Sequence, residues 1–172
     1  DFTVNIALVD EGVPTHGVVY APAKGRLFIT KAGGRAEEIS GDFADPASLR
    51  TRDISCAPQN GQSLKVVASK SHRDKATDDF IAKYDVEDVV SAGSSLKFCL
   101  VATGEADLYP RLGPTMEWDI AAGHALVRAA GGRVTLPDGT TEMPYSKPDY
   151  RNGAFLAFAN GLDIHRDGAD LP

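Results

Sequence analysis

The chain has 172 residues, of which 42% are hydrophobic and 24% are charged, a composition typical of a globular domain. Its formal net charge of −6 at pH 7 argues against a protein that binds a nucleic acid polymer or an anionic membrane surface through its overall charge. An anionic ligand would therefore need a local group of cations, a helix N-terminus or a metal ion.

The two cysteines, Cys56 and Cys99, have neither the pattern of a disulfide framework nor that of a zinc site. We therefore expect a reducing compartment and a cytoplasmic location. Cys99 lies in an apolar helical run, where a small buried residue is expected. No stretch approaches the roughly 20 apolar residues of a membrane span, so we expect no transmembrane segment. Peripheral binding to the inner membrane stays open, and the sequence does not indicate the oligomeric state.

The first part of the chain has the pattern of an antiparallel meander. Strands are predicted over residues 3–9, 16–20 and 26–30, separated by turn residues. The polar stretch 45–61 predicts a loop with a short edge strand. Because the chain begins directly on a strand pattern, we expect it to be the middle of a longer protein.

From Leu64 onward, strand and helix patterns alternate, which predicts an α/β layer with ligands at the strand ends. The predicted strands cover residues 64–68, 85–90, 106–109, 133–136 and 154–159. The predicted helices cover residues 74–84 and 96–103 and a segment from about Met116 to Gly131-Gly132, preceded by a rigid turn over residues 110–114.

The helix that begins near Met116 is the segment around which the other motifs are arranged. Its apolar stripe consists of Ile120, Leu126, Val127 and Ala130. Asp119 stands at its start, where a carboxylate complements the positive helix end, and the simplest interpretation is a cap. Trp118 is expected to pack in the core.

Polar residues that suit a phosphate follow several of the predicted strands. They are His72, Ser94, Lys97 and Arg111, with Asp119 on the next helix. Ser94 and Lys97, beside free backbone N–H groups at a helix start, form an anion site. The planar guanidinium of Arg111 matches phosphate geometry, and His72 can donate a hydrogen bond to a phosphate.

Each of these residues also has a purely structural interpretation. Ser94 and His72 fit helix caps, Lys97 fits a solvated helix position, and Arg111 fits a surface ion pair of little energetic value. Asp119 by itself makes a poor magnesium site, because Mg²⁺ requires near-octahedral oxygen ligands. Hydrolysis with two metal ions needs still more ligands, so the chain contains a fraction of such a site.

Four motifs occur in order along the chain. They are SKSHRD at residues 69–74, GSSLKFC at 93–99, ADLYPRLGPT at 106–115 and WDIAAG at 118–123, the last followed by AAGG at 129–132. The C-terminal motif resembles that of the inositol monophosphatase-like family of Mg²⁺-dependent, lithium-sensitive phosphatases. The other three are similar to the CysQ-type 3′(2′),5′-bisphosphate nucleotidases, and the resemblance extends from Phe2 to about Ala159.

This resemblance implies a phosphomonoester hydrolase that removes the 3′-phosphate of adenosine 3′,5′-bisphosphate (PAP) to give AMP, as part of PAP recycling in sulfur assimilation. Asp119 matches the family's C-terminal metal carboxylate, which would hold Mg²⁺ and position the attacking water. His72, Ser94, Lys97 and Arg111 match the segments that hold the nucleotide. The implied fold is an α/β protein with α/β/α/β/α layers.

The sequence departs from the family pattern in its upstream part. The family's Glu-Glu pair and Asp-Pro-Ile/Leu-Asp-Gly-Thr motif are not found; Asp45-Pro46 and Asp138-Gly139-Thr140 are interpreted as loop residues. We therefore expect the C-terminal portion of the enzyme, inactive without the missing part. Residues 1–62 would be a meander that completes the metal-site layer, and residues 63–172 an α/β domain with the nucleotide cradle and the last metal carboxylate.

Two alternatives remain open at this stage. One is a related enzyme that hydrolyses inositol monophosphate, although Lys97, Arg111 and His72 suit a second phosphate and a nucleoside. The other is a non-catalytic nucleotide-binding module that has the basic cradle but lacks the carboxylates. Such a module would bind AMP equally well with and without Mg²⁺.

Overall fold

An antiparallel sheet of five strands forms from the first third of the chain, in the order in which the strands occur. The computed structural model describes residues 2–59, 63–69 and 75–164. The strands of this first sheet are β1 (Val4–Asp10), β2 (Val13–Ala21), β3 (Arg26–Lys31), β4 (Arg35–Ser40) and β5 (Arg50–Ile54). The three predicted meander strands and the predicted edge strand are confirmed.

Strand β4 was not predicted, because its sequence RAEEIS carries three charged residues. Its Glu38 is nevertheless buried. The carboxylate accepts hydrogen bonds from Arg26 on β3 at 2.5 Å and from Arg52 on β5 at 2.6 Å. A buried carboxylate with two guanidinium partners is compensated, so charge does not prevent this strand from lying mid-sheet.

The second sheet is mixed and has the strand order β10-β12-β8-β6-β7. Its strands are β6 (Leu64–Ser69), β7 (Val86–Ala92), β8 (Leu108–Arg111), β10 (Gly132–Thr135) and β12 (Phe155–Ala159). A separate two-stranded ladder pairs β9 (Thr115–Met116) with β11 (Arg151–Asn152). Strands β7 and β8 both run parallel to β6, so the carboxyl ends of all three lie at one edge of the sheet.

The boundaries of β8 differ from the prediction. The strand begins at Leu108 and includes Pro110 and Arg111, which were assigned to a rigid turn. Pro110 lies opposite Leu156 in the ladder with β12. Arg111 is therefore the last residue of a central strand, which fixes the position of its Cα more firmly than a turn would.

Two helices pack between the sheets: α2 (Leu96–Ala102) and α3 (Glu117–Ala129). A third helix, α1 (Lys75–Ile81), contributes Phe80 and Ile81 to a separate core on the other face of the second sheet. The described residues thus form four layers: sheet, helices, sheet, helix. Gly123 of α3 permits close contact with α2, because a Cβ there would lie 2.6 Å from Cβ of Phe98.

The prediction that Trp118 packs in the core is wrong. Its side chain is 61% exposed and lies near the ring of Tyr150, with a centroid distance of 6.1 Å. Trp118 is the second residue of α3, whose buried residues include Ile120, Leu126 and Val127 instead. Cys99 is fully buried as predicted, and both cysteines are free. None of the described helices has the length and apolarity needed to cross a membrane.

Candidate functional site

The carboxyl ends of β7 and β8 bring Ser94 and Arg111 to one edge of the second sheet. Strand β7 ends at Ala92, two residues before Ser94, and β8 ends at Arg111. His72 follows β6 in the sequence and lies outside the described residues. Its predicted role in nucleotide binding therefore stays a prediction.

Ser94 does not occupy the helix cap that its simplest interpretation assigned to it. Helix α2 begins at Leu96, as predicted, and its N-cap residue is Ser95. Ser94 instead adopts a left-handed conformation with φ of 51°, which is uncommon for a residue with a side chain. Its exposed hydroxyl shares a 2.6 Å hydrogen bond with Thr3 Oγ1, just before β1. This contact joins the first sheet to the edge of the second.

The purely structural interpretation, in which Lys97 is a solvated residue on a helix surface, is wrong, because Lys97 is only 5% exposed. Its Nζ donates to the carbonyl of Ser94 at 2.8 Å and to that of Ala92 at 3.4 Å. The ammonium also lies over the ring of Tyr109, 5.2 Å from the centroid. Burial, and secondly the charge of Arg111, lower the pKa of Lys97 to about 8.

Arg111 is half-buried and its guanidinium is held by backbone carbonyls. Nε donates to the carbonyl of Gly113 at 3.2 Å, and Nη2 to that of Pro114 at 3.3 Å. Within residues 2–59, 63–69 and 75–164 it has no ion pair with a carboxylate. The purely structural interpretation placed Arg111 in a surface ion pair, and the described residues contain no such pair.

Asp119 is exposed and is the third residue of α3. Its Oδ2 accepts a 2.8 Å hydrogen bond from the Met116 N–H, so the carboxylate does cap the helix as the simplest interpretation predicted. Its Oδ1 has no hydrogen-bond partner among the described residues. The backbone carbonyl of Asp119 accepts from Ser95 Oγ at 2.9 Å, which ties the start of α3 to the start of α2.

Tyr109 is a buried residue of β8, and the Lys97 ammonium lies over its ring. Burial, together with the nearby charge of Asp119, raises the pKa of Tyr109, and the charge of Arg111 opposes that rise. The Lys97 ammonium thus lies over a buried ring on the strand that ends at Arg111. Sequence analysis missed Tyr109, although its place two residues before Arg111 on the same strand is the signal that could have identified it.

The described residues do not complete a magnesium site. No group of three or more His, Cys, Asp or Glu residues among them is placed to hold a metal ion. Asp119 therefore fits as one oxygen ligand, and further ligands are needed for the octahedral geometry of Mg²⁺. Asp45 and Asp138 are loop residues as predicted: each accepts hydrogen bonds from nearby backbone N–H groups.

Comparison with known proteins assigns the chain to a family. The family described as "Inositol monophosphatase family" matches residues 1–166. The chain belongs to the inositol monophosphatase family. This membership agrees with the resemblance that the four motifs indicated.

Relatives of this inositol monophosphatase family member include the 3′(2′),5′-bisphosphate nucleotidase CysQ of Escherichia coli K12, 43% identical over 134 residues, or 78% of this chain and 50% of the relative. The CysQ protein of Salmonella typhimurium LT2 is 42% identical over 155 residues, covering 90% of this chain and 59% of the relative. The chain thus spans about half the length of the curated relatives it matches.

A solved structure of CysQ from Bacteroides thetaiotaomicron is similar to most of this chain. It has a TM-score of 0.79 and 40% sequence identity, and the match covers 91% of this chain and 62% of that one. An inositol monophosphatase from Anabaena is similar at a TM-score of 0.68 and 28% identity, covering 92% of this chain and 61% of that one. The predicted α/β fold class is therefore confirmed.

Proposed function

We propose that this family member is a Mg²⁺-dependent 3′(2′),5′-bisphosphate nucleotidase that hydrolyses the 3′-phosphate of PAP to give AMP. One observation carries the proposal: the buried ammonium of Lys97 is bound to the backbone at the carboxyl end of β7, and Arg111 ends β8 at the same edge of the sheet. Two neighbouring cations without a described carboxylate partner favour a ligand with more than one anionic group. The similarity to proteins named CysQ supports the nucleotide as that ligand.

The chain's own residues would bind and orient the substrate. Arg111 offers a planar donor group to one phosphate, and Lys97 supplies a positive charge from beneath the turn at Ser94. Ser94 and His72 would complete the contacts to the nucleotide. Holding the ester in one orientation lowers the entropic part of the barrier to attack by water.

Asp119 would be one ligand of the Mg²⁺ ion, whose chemistry is to activate water and to stabilise the leaving oxygen. The other ligands would come from outside the described residues. In this proposal, residues 1–62 complete the metal-site layer and residues 63–172 contain the nucleotide cradle. The reaction would serve PAP recycling in sulfur assimilation in the cytoplasm.

The experiment that tests this function compares two substrates. Phosphate release from PAP and from inositol 1-phosphate is measured for the protein at its natural length, with Mg²⁺ and with EDTA. We expect Mg²⁺-dependent release with kcat/KM higher for PAP. A higher kcat/KM for inositol 1-phosphate would contradict the assignment and support an inositol monophosphatase.

The incomplete metal site in the described residues favours one second candidate, a nucleotide-binding module without catalysis. Calorimetric titration with AMP, in the presence and in the absence of Mg²⁺, distinguishes the two. A module should bind AMP with the same affinity in both conditions and release no phosphate from PAP.

A further inference from the structure

The first residue of α3, Glu117, is a buried carboxylate that the nucleotide site does not use. It is only 8% exposed. Its Oε2 accepts from the Ser146 N–H at 3.0 Å, and its Oε1 accepts from the Lys147 N–H at 3.0 Å. The Lys147 ammonium lies 2.7 Å from the same Oε1. Three donors thus hold this side chain against residues 145–152, which we call the strap.

The strap follows α3 and contacts it at further points. The Tyr150 carbonyl accepts from the Glu117 N–H at 2.8 Å, and the Tyr145 hydroxyl hydrogen-bonds His124 Nδ1 at 2.9 Å. Glu117 and His124 are seven positions apart and therefore lie on the same side of the helix. The strap is thus fixed along two turns of α3.

The conformation of the strap requires such contacts. Ser146 has a φ of 68° and Tyr150 a φ of 54°, and both are residues with side chains in the left-handed region. A backbone of this kind persists where the surrounding contacts determine it. The Glu117 carboxylate binds the N–H of Ser146 itself, so it stabilises one of these two residues directly.

The strap also reaches the hydrogen bond that holds Asp119. Its last two residues form β11, and Arg151 pairs with Met116 of β9. The Met116 N–H donates to Asp119 Oδ2 at 2.8 Å. A path of direct contacts therefore runs from Glu117 through the strap to Met116 and to the Asp119 carboxylate.

We propose that Glu117 is a positioning residue, which fixes the strap and through Met116 sets the orientation of the Asp119 carboxylate. This inference rests on the proposed function in one respect, because Asp119 is taken as the carboxylate of the reaction site. It predicts that loss of the Glu117 contacts changes turnover and leaves nucleotide binding intact, since Lys97 and Arg111 belong to other elements.

The test uses Glu117→Gln, which keeps the size of the side chain and places an amide N–H against a backbone N–H. Its control is Glu142→Gln, an exposed carboxylate paired with Arg133. Amide exchange at Met116, Ser146 and Lys147 is followed by NMR, and kcat and KM are measured with PAP. We expect faster exchange at all three amides and a kcat about tenfold lower, with KM within about twofold, as when an outer contact to a ligand is lost.

The outcomes separate the two proposals. Unchanged exchange at Met116 in Glu117→Gln, or a rise in KM with kcat unchanged, would overturn the positioning role. If the wild-type protein released no phosphate, the proposed function would fail, and exchange at Met116 would still decide the positioning role. If Glu117→Gln did not fold, Glu117→Asp, which shortens the side chain, should show the same faster exchange at Met116, and wild-type exchange there would count against the proposal.

Discussion

The charge of Arg111 acts on the buried ammonium of Lys97: burial and then this charge lower the pKa of Lys97 to about 8. The two cations come from different elements, β8 and α2, and the Lys97 ammonium lies over the ring of Tyr109. Neither has an ion pair with a carboxylate in the described part of the chain. Two like charges near each other repel, and a bound anion relieves that repulsion. A phosphate is therefore the ligand that we propose for this pair.

A first prediction concerns the pH dependence of nucleotide binding. Lys97 is charged below its pKa of about 8, so the KM for PAP should rise as the pH increases from 7 to 9. Lys97→Met should raise KM about 10- to 100-fold, which corresponds to the free energy of one hydrogen bond to a charged group. The variant should also lose the dependence of KM on pH. Initial rates across the pH range check both. A wild-type KM that stays constant from pH 7 to 9 would contradict the role of Lys97.

A second prediction concerns Asp119→Asn. The amide oxygen can still accept from the Met116 N–H, so the fold should remain intact, with a loss in unfolding free energy of about 1 kcal/mol or less. Turnover of PAP should fall at least about 100-fold, because a neutral amide is a poor metal ligand. Asp138→Asn, in an exposed turn, is the matched control and should keep wild-type turnover. Wild-type kinetics in Asp119→Asn would remove Asp119 from the mechanism.

A third prediction concerns stability in acid. Burial of His124, and secondly the charge of Arg128, lower the pKa of His124 to about 3. The unfolded chain has a His pKa near 6.5, so between these values the unfolded state binds a proton that the folded state does not. The free energy of unfolding should therefore decrease as the pH falls from 6.5 towards 3. Between pH 7 and pH 5 the decrease should be about 2 kcal/mol.

Urea unfolding at pH 7 and at pH 5 measures this effect. His124→Gln should lose about 2 kcal/mol less than the wild type over this interval, because the glutamine does not titrate. His16→Gln, at an exposed position on β2, should keep the wild-type pH dependence. Equal losses in His124→Gln and the wild type would show that His124 does not control acid stability.

A fourth prediction tests the packing of α3 on α2. A Cβ at Gly123 would lie 2.5 Å from Cδ2 of Phe98, whose ring stacks on Phe155. Gly123→Ala should therefore lower the unfolding free energy by about 1–3 kcal/mol. Gly153→Ala, where a Cβ meets no atom within 4 Å, should change it by less than about 0.5 kcal/mol. Chemical denaturation measures the unfolding free energy of both variants. Equal values would contradict the close contact between Gly123 and Phe98.

Much of the fold could be predicted from the sequence because local patterns and tertiary structure agree. Local strand patterns predicted β1, β2 and β3, and the predicted helix over residues 96–103 corresponds to α2. Strand β4 was missed because burial of Glu38 depends on arginines from both neighbouring strands, which no local pattern contains. Trp118 was misplaced because its exposure depends on which face of α3 meets the sheets.

The site was predictable in its residue types and unpredictable in its geometry. The motifs pointed to Lys97 and Arg111, and the parallel strands bring them to one edge. The left-handed turn at Ser94 and the burial of Lys97 beneath it depend on contacts with Tyr109 and Thr3, far apart in sequence. The strap on Glu117 likewise depends on a contact across about 30 residues.

A crystal structure of the protein with AMP would show directly where a phosphate binds. We expect a phosphate oxygen within hydrogen-bonding distance of the Arg111 guanidinium, with the nucleotide next to the turn at Ser94 and Lys97 beneath it. A phosphate bound away from the carboxyl edge of β6, β7 and β8, with Arg111 still on the Gly113 and Pro114 carbonyls, would contradict it.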